Sequence, residues 1–148
     1  MTFEITRNGY TVSDDPARLD FDVIHDFLKD AYWSEGVPRR IVEKSARHSL
    51  TFGLYDPRGA QVGYGRSVTD RSTFAYLADV FVLEHERGKG LGRFLVDAIM
   101  EHPDHQGLKH MILATDDAHG LYQSAGFESL ADPTAYMHKL DLDIYKRT

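Results

Sequence analysis

The segment from Thr73 to Glu101 limits the possible folds more than any other part of this chain. Thr73–Leu83 reads Thr-Phe-Ala-Tyr-Leu-Ala-Asp-Val-Phe-Val-Leu. A nearly continuous apolar run of this kind predicts a central strand buried on both faces. Arg87-Gly-Lys-Gly-Leu-Gly92 follows, and then Leu91, Leu95, Ala98 and Ile99 recur at helical spacing from about Gly90 to Glu101. Strand, glycine turn and helix in that order call for a sheet with helices laid on it.

The remaining elements fit the same layered design. Asn8-Gly9 lies between two short strand candidates, Phe3–Arg7 and Tyr10–Ser13, and Asn-Gly is a strong hairpin signal. Phe21, Ile24, Phe27, Leu28 and Ala31 mark one helix over Asp20–Tyr32. Trp33-Ser-Glu-Gly-Val-Pro38 breaks it, and Pro38 suits the first turn of a second helix running to about His48. The period then becomes two. Ser49–Tyr55 and Gln61–Thr69 read as strands around the turn Asp56-Pro-Arg-Gly59. Met111–Ala114 reads as a short buried strand, Ala118–Ser124 as a short helix ended by Gly126, and Phe127–Leu130 and Tyr136–Leu140 as closing strands. The expectation is a mixed α/β sandwich.

Composition narrows the function. The 148 residues make one domain, with no linker or repeat. There is no cysteine, which excludes a disulfide scaffold, a thiolate zinc site, an iron–sulfur cluster and a cysteine nucleophile. Seventeen Lys and Arg against 23 Asp and Glu give a net charge of −6, so no nucleic-acid or membrane partner is expected. Met1–Asp15 lacks an apolar core of the signal-peptide kind, and no apolar run approaches the roughly 20 residues of a membrane span. A cytoplasmic protein is the expectation. His102, His105 and His110 have spacing compatible with zinc, but Pro103 interrupts them and no acidic cluster completes a ligand set. They are expected on a solvated loop, with no metal.

The chemistry concentrates at Arg87–Gly92. Glycines at 88, 90 and 92 allow unusual dihedrals and close approach to a ligand. The helix starting there offers free N–H groups and a positive dipole end, a site suited to phosphate. Arg87, Lys89 and Arg93 add positive charge. A P-loop is excluded because Lys89 is followed by Gly90 rather than Ser or Thr, and neither glycine start completes a dinucleotide fingerprint.

Arg-x-x-Gly-x-Gly directly after an apolar strand resembles the pyrophosphate loop of the GNAT acetyltransferase superfamily. Ala78-Asp-Val-Phe-Val82 is similar to that family's splayed fourth strand. Asp117-Ala-His-Gly-Leu-Tyr122-Gln-Ser-Ala-Gly126-Phe127 is similar to its Ala-x-x-Leu-Tyr-x-x-x-Gly-Phe signature, with Asp117 where many members carry Asn. The resemblance is close from about Phe74 to Phe127. It implies a mostly antiparallel mixed sheet of six to seven strands, a splayed fourth/fifth strand pair, and about four helices packed on both faces.

It also implies an N-acetyltransferase that uses acetyl-CoA as cosubstrate and moves the acetyl group to a primary amine of a small molecule or peptide by direct attack in a ternary complex. The alternative is an inactive coenzyme-A-binding regulatory or interaction module. A homodimer is compatible with either. Backbone amides of Arg87, Gly88, Lys89, Gly90, Leu91 and Gly92 would cradle the pyrophosphate. Phe81 and Val82 would bond the pantetheine arm like an added strand, near the position of Asp117. An N–H near Val80–Val82 would polarise the thioester carbonyl. Tyr122 would protonate the departing thiolate; without the motif it reads as a core tyrosine.

An amine acceptor must shed a proton. Asp79 and Tyr76 are nearest the expected splay, with Glu84 a weaker candidate. Asp79 is either the base or a structural partner of loop backbone. Tyr32 and Trp33, at the break between the first two helices, either stack on the acceptor or cap the core. Arg66 either binds an acceptor carboxylate or pairs with Asp70 or Asp79.

Overall fold

A computed structural model describes residues 2–148. Strands β1 (Glu4–Arg7) and β2 (Tyr10–Ser13) form the expected hairpin, with Arg7 opposite Tyr10 and both turn residues at positive φ, Asn8 at 51° and Gly9 at 83°. Two helices follow, α1 (Phe21–Leu28) and α2 (Arg39–Arg47), then β3 (Leu50–Tyr55), β4 (Gln61–Thr69) and β5 (Phe74–Val82). Helix α3 (Leu91–Glu101), strand β6 (His110–Leu113) and helix α4 (His119–Ser124) complete the regular structure. The six strands lie side by side in chain order. All pairings are antiparallel except β5 with β6.

Helices cover both faces. On one, Ile24 and Leu28 of α1 and Val42 of α2 pack on Tyr64 and Phe81. On the other, Phe94, Leu95, Ala98 and Ile99 of α3 pack on Phe52, Leu54, Val62 and Leu77. Gly65 lets α3 approach closely there: a Cβ would stand 2.8 Å from the Ile99 Cδ1 methyl and would push it aside. The β4–β5 hairpin is fixed by Asp70, whose carboxylate accepts from the Thr73 hydroxyl and the N–H groups of Ser72, Thr73 and Phe74. These bonds, the Thr73 hydroxyl's first, hold that carboxyl far below the usual carboxylate range.

Four expectations need correction. Helix α1 stops at Leu28 rather than Tyr32: the Ser34 hydroxyl donates to the Leu28 carbonyl at 2.6 Å, and Gly36, at φ 80°, donates to the Lys29 carbonyl at 2.8 Å. Strand β5 is not buried on both faces. Ala75 and Leu77 are buried, Leu77 in the α3 core, whereas Phe74 and Tyr76 face outward, 39% exposed. The predicted closing strands Phe127–Leu130 and Tyr136–Leu140 do not form. Gly126 takes φ 101° and the Phe127 N–H returns to the Tyr122 carbonyl at 3.0 Å, so the chain folds back on α4 instead of entering the sheet. Beyond it a short turn at Pro133–Ala135 and a second at Ile144–Lys146 carry an arm across the molecule, with Met137 97% exposed. Finally, His102 and His105 are buried rather than solvated. His102 Nε2 bonds Asp14 at 2.8 Å, and His105 bridges the Ile99 carbonyl (2.7 Å) and the Ser67 hydroxyl (2.8 Å).

Candidate active site

The β5–β6 ladder runs from Phe74↔His110 to Leu77↔Leu113 and stops. Strand β5 continues to Val82 with no partner on that side. A bulge produces the divergence. Arg66 pairs with Ala78 and Tyr64 with Phe81, so Asp79 and Val80 together face the single residue Gly65. Asp79 adopts φ 57°, a left-handed conformation that turns the strand away from β6. The expected splay is therefore present, between the fifth and sixth strands in chain order, and it leaves main-chain groups of Ala78–Val82 free to bond a ligand.

Gly88 and Gly90 have φ of 84° and 76°, and a Cβ at either would meet no atom within 4 Å. Gly90 caps α3 without a side-chain acceptor, which leaves the first N–H groups of that helix unspent. The basic residues of this loop are already engaged. Lys89 Nζ bonds Glu86 Oε2 at 2.7 Å, and Arg93 Nε bonds Asp97 at 3.0 Å. Arg87 Nε donates to the Val82 carbonyl at 3.3 Å. Glu86 is buried and also accepts from the Tyr10 hydroxyl at 2.8 Å. The Lys89 ammonium, then the Tyr10 hydroxyl, holds the Glu86 carboxyl below its ordinary value. The i, i+3 spacing of Glu86 and Lys89 is the sequence signal for this clamp. The loop thus presents oriented amides, with Lys89 tied to Glu86 and Arg87 to the Val82 carbonyl on either side of Gly88.

Where β5 and β6 part, a cleft of about 380 Å³ opens, lined by Tyr32, Trp33, Arg66, Tyr76, Asp79, Asp117 and Tyr122 among others. Both candidate catalytic residues, all four candidate acceptor residues and Asp117 thus share one cavity. Phe81 and Val82 are not among its lining. The Phe81 ring stacks on Phe27 in the core, centroids 4.0 Å apart, so it has only main chain to offer a ligand.

Tyr122 stands on the first full turn of α4, packed edge-on against Phe127 and 9% exposed. Burial first, then the electrostatic influence of Tyr32 and Asp117, pushes its hydroxyl up to about 12. No hydrogen bond from a described residue acts on that hydroxyl. It is a protonated donor throughout the neutral range, on a residue that lines the cleft.

Asp79 accepts from Trp33 Nε1 at 2.9 Å through one oxygen and from Arg66 Nε at 2.9 Å through the other. Arg66 also donates to the Ser49 hydroxyl at 3.2 Å. Of the two pairings weighed for Arg66, the structure adopts Asp79. Tyr32 meets Trp33 edge-on at 5.0 Å, and its hydroxyl accepts from the Asp116 N–H at 3.1 Å. Tyr145, from the carboxy-terminal arm, joins the same lining, as does Asp116. Tyr145 sits beside Gly36, more than 100 residues away in sequence, and no local motif could have signalled it. Among the described residues no cluster of three or more metal-ligating side chains occurs, and no helix is long and apolar enough to cross a membrane.

A parallel strand pair that opens beside a glycine-gated helix, with a protonated phenol over the gap, is the framework of an acyl-coenzyme-binding transferase. The comparisons agree. Residues 18–127 match the acetyltransferase (GNAT) family model. A candidate acetyltransferase of Gibberella zeae, FG08082, is 33% identical over 146 residues, covering 83% of this chain and 81% of that protein. A crystal structure of a candidate GNAT-family acetyltransferase from Xanthomonas campestris pv. campestris is 43% identical with a TM-score of 0.88, covering 92% of this chain and 96% of that one. Glucosamine-6-phosphate N-acetyltransferase from Arabidopsis thaliana shares the fold at 17% identity and a TM-score of 0.61, covering 88% of this chain and 97% of that one. The chain belongs to the GNAT acetyltransferase family, whose members generally use acetyl-CoA.

Proposed function

We propose that this protein moves the acetyl group of acetyl-CoA to a primary amine of a small molecule or peptide, by direct attack in a ternary complex. The observation that carries the proposal is the β5–β6 ladder ending at Leu77↔Leu113 with the unpartnered Tyr122 hydroxyl lining the gap beyond it. The pyrophosphate sits on the amides of Arg87–Gly92, and the pantetheine arm runs along the free edge of β5 past Phe81 and Val82, with Asp117 beside it. Main-chain N–H groups near Val80 polarise the thioester carbonyl. The amine lone pair attacks the carbonyl carbon, a C–N bond forms, and the C–S bond breaks. The sulfur takes the Tyr122 proton, the nitrogen releases one proton, and the phenol is reprotonated from solvent.

Asp79 fixes Arg66 and Trp33 and so shapes the acceptor wall. Its place at the bulge, lining the cleft, favours a second role as the base that takes the amine's proton through water. Two of its roughly four acceptor positions are already in use.

The experiment is calorimetric titration with coenzyme A, followed by release of free thiol from acetyl-CoA across an amine panel. Gly90→Glu puts a side chain on a residue with φ 76° and a negative charge in the cradle, and is expected to weaken coenzyme binding at least about a hundredfold. Unchanged binding by this variant overturns the pyrophosphate assignment. Coenzyme binding without thiol release from any amine points to a catalytically silent binding module.

A further inference from the structure

We infer that Tyr145 is a specificity-determining residue: seated on the α1–α2 connection by the carboxy-terminal arm, it forms one wall of the acceptor cleft and admits only narrow primary amines. This inference rests on the acetyltransferase reading above and sets the size of its acceptor.

The burial of the arm is concentrated at one residue. From Glu128 to Thr148 every residue is exposed except Tyr145. Leu140 and Leu142 stay 62% and 82% exposed, so apolar character alone does not draw the arm onto the body. Its ion pairs, Lys146 with Asp143 and Arg147 with Asp141, stay within the arm. Among the described residues its one side-chain hydrogen bond to the rest of the molecule joins Tyr136 to His110 at 3.4 Å, on the surface. Tyr145, by contrast, packs against the core cluster that holds Leu28, Val37 and Val42. A Cβ on Gly36 would stand 3.7 Å from the Tyr145 Cβ, so the arm lies directly on the connection between α1 and α2.

That connection carries Tyr32 and Trp33, and the Trp33 indole donates to Asp79. Tyr145 lines the same cleft of about 380 Å³ as Trp33, Asp79 and Tyr122. Such a volume is at the low end of the roughly 300–1,000 Å³ of small-molecule sites, and the acetyl thioester must share it. The arm leaves α4, which brings Tyr122 to the cleft, and is anchored on the connection that brings Trp33 there. It therefore ties the two walls together, with Tyr145 as the contact. A ring packed on the α1–α2 core cannot yield to a wide ligand without releasing the arm. Selection against width then comes from a clash built into the wall, which costs a narrow amine nothing.

Trp33 is the sole tryptophan of the chain, so its emission reports on the cleft without turnover. The protein, saturated with coenzyme A, is titrated with benzylamine and diphenylmethylamine, which differ by one ring. Benzylamine is expected to half-saturate the emission change at a concentration at least about tenfold lower. Tyr145→Ala should cut that ratio at least about fivefold, and Tyr145→Phe, which keeps the ring, should hold it within about twofold. Coenzyme A binding by calorimetry should be unchanged in both. Thiol release from acetyl-CoA is expected to show the same ratios in kcat/KM, with kcat for benzylamine held in Tyr145→Ala. If Tyr145→Ala melts early, Tyr145→Leu keeps an apolar anchor on the α1–α2 core and should still cut the ratio at least about twofold. The inference is overturned if diphenylmethylamine binds the native protein as well as benzylamine, if the alanine and leucine variants keep the ratio, if Tyr145→Phe cuts it as far as Tyr145→Ala, or if neither probe alters the emission. If the emission ratios behave as expected and no amine releases thiol, the size selection stands and the acetyl-transfer reading fails.

Discussion

Two polar clusters flank the central strands, and they differ in what they leave undone. Around His102 and His105 every ring nitrogen is used. His102 takes the Asp104 N–H at 3.0 Å and donates to Asp14, while His105 donates to the Ile99 carbonyl and accepts from Ser67. In the cleft the Arg66–Asp79–Trp33 group is likewise joined, but the Tyr122 hydroxyl and the Asp116 and Asp117 side chains are not. The first cluster has no capacity left and serves the fold. The second keeps a phenol proton and two exposed carboxylates open to a ligand. Residue type alone would have pointed the other way, since histidines invite a functional reading more readily than a lone tyrosine.

The contrast can be broken in order of expected effect. Tyr122→Phe removes one unbonded hydroxyl. Turnover with the best amine is expected to fall about 10²–10⁴-fold, roughly 3–5 kcal/mol of transition-state stabilisation, with the melting temperature held. Unchanged turnover would make Tyr122 a core residue like those of the closed cluster. Asp79→Asn leaves the Arg66 guanidinium without its counter-charge and should cost about 2–3 kcal/mol, lowering the melting temperature roughly 5–10 °C. If the acidic limb of the pH–rate profile survives that variant, Asp79 is a positioning residue. Loss of the limb makes it the base.

His105→Gln tests the closed cluster. Burial first, with the neighbouring His102 ring adding to it, lowers the His105 pKa, while its bond to the Ile99 carbonyl opposes them. A base depressed in the folded state leaves stability intact above its unfolded value, near about 6.5. Below that pH the unfolded chain takes up a proton that the folded chain refuses, so stability declines with falling pH until the folded pKa is passed. Glutamine should cost about 1–2 kcal/mol at neutral pH and flatten that decline. A slope that persists unchanged in denaturant titrations from pH 7 to 5 would exclude His105 as its source. The smallest effect is expected from Tyr64→Phe. The Tyr64 hydroxyl is buried with no partner, and its ionisation is pushed upward mainly by burial. Removing it should raise stability by up to about 1 kcal/mol. A lower melting temperature would show that the hydroxyl is satisfied after all.

Much of this was legible in the residues. The Asn8-Gly9 hairpin, the β5 run, the glycine loop and the α4 signature are local patterns, each set by backbone preference within a few positions. The convergence of Tyr32, Trp33, Arg66, Tyr76, Asp79 and Tyr122 on one cleft followed from placing those patterns on a single sheet. What escaped depends on distant packing. Gly126 ends α4 in a way that redirects Phe127, so the pattern downstream does not reach the open edge of β6. Burial of Phe74 and Tyr76 depends on how far α1 and α2 reach over the sheet. His102 and His105 find Asp14 and Ser67 from 88 and 38 residues away.

The unmade half of the β5–β6 ladder also enters the thermodynamics of the whole molecule. A sheet with a missing rung is a folding reaction with one reactant left out, and a coenzyme that supplies the absent strand becomes part of the native state. By mass action a ligand at a hundredfold excess over its dissociation constant adds about 2.7 kcal/mol to the unfolding free energy. For a chain of this size that corresponds to a rise of roughly 5–10 °C in the midpoint. Amide exchange along Ala78–Val82 would slow together with that rise, since the same bonds underlie both. The protein would then be most resistant to unfolding and proteolysis when its coenzyme is abundant, so the pool of donor sets the lifetime of the enzyme as well as its rate.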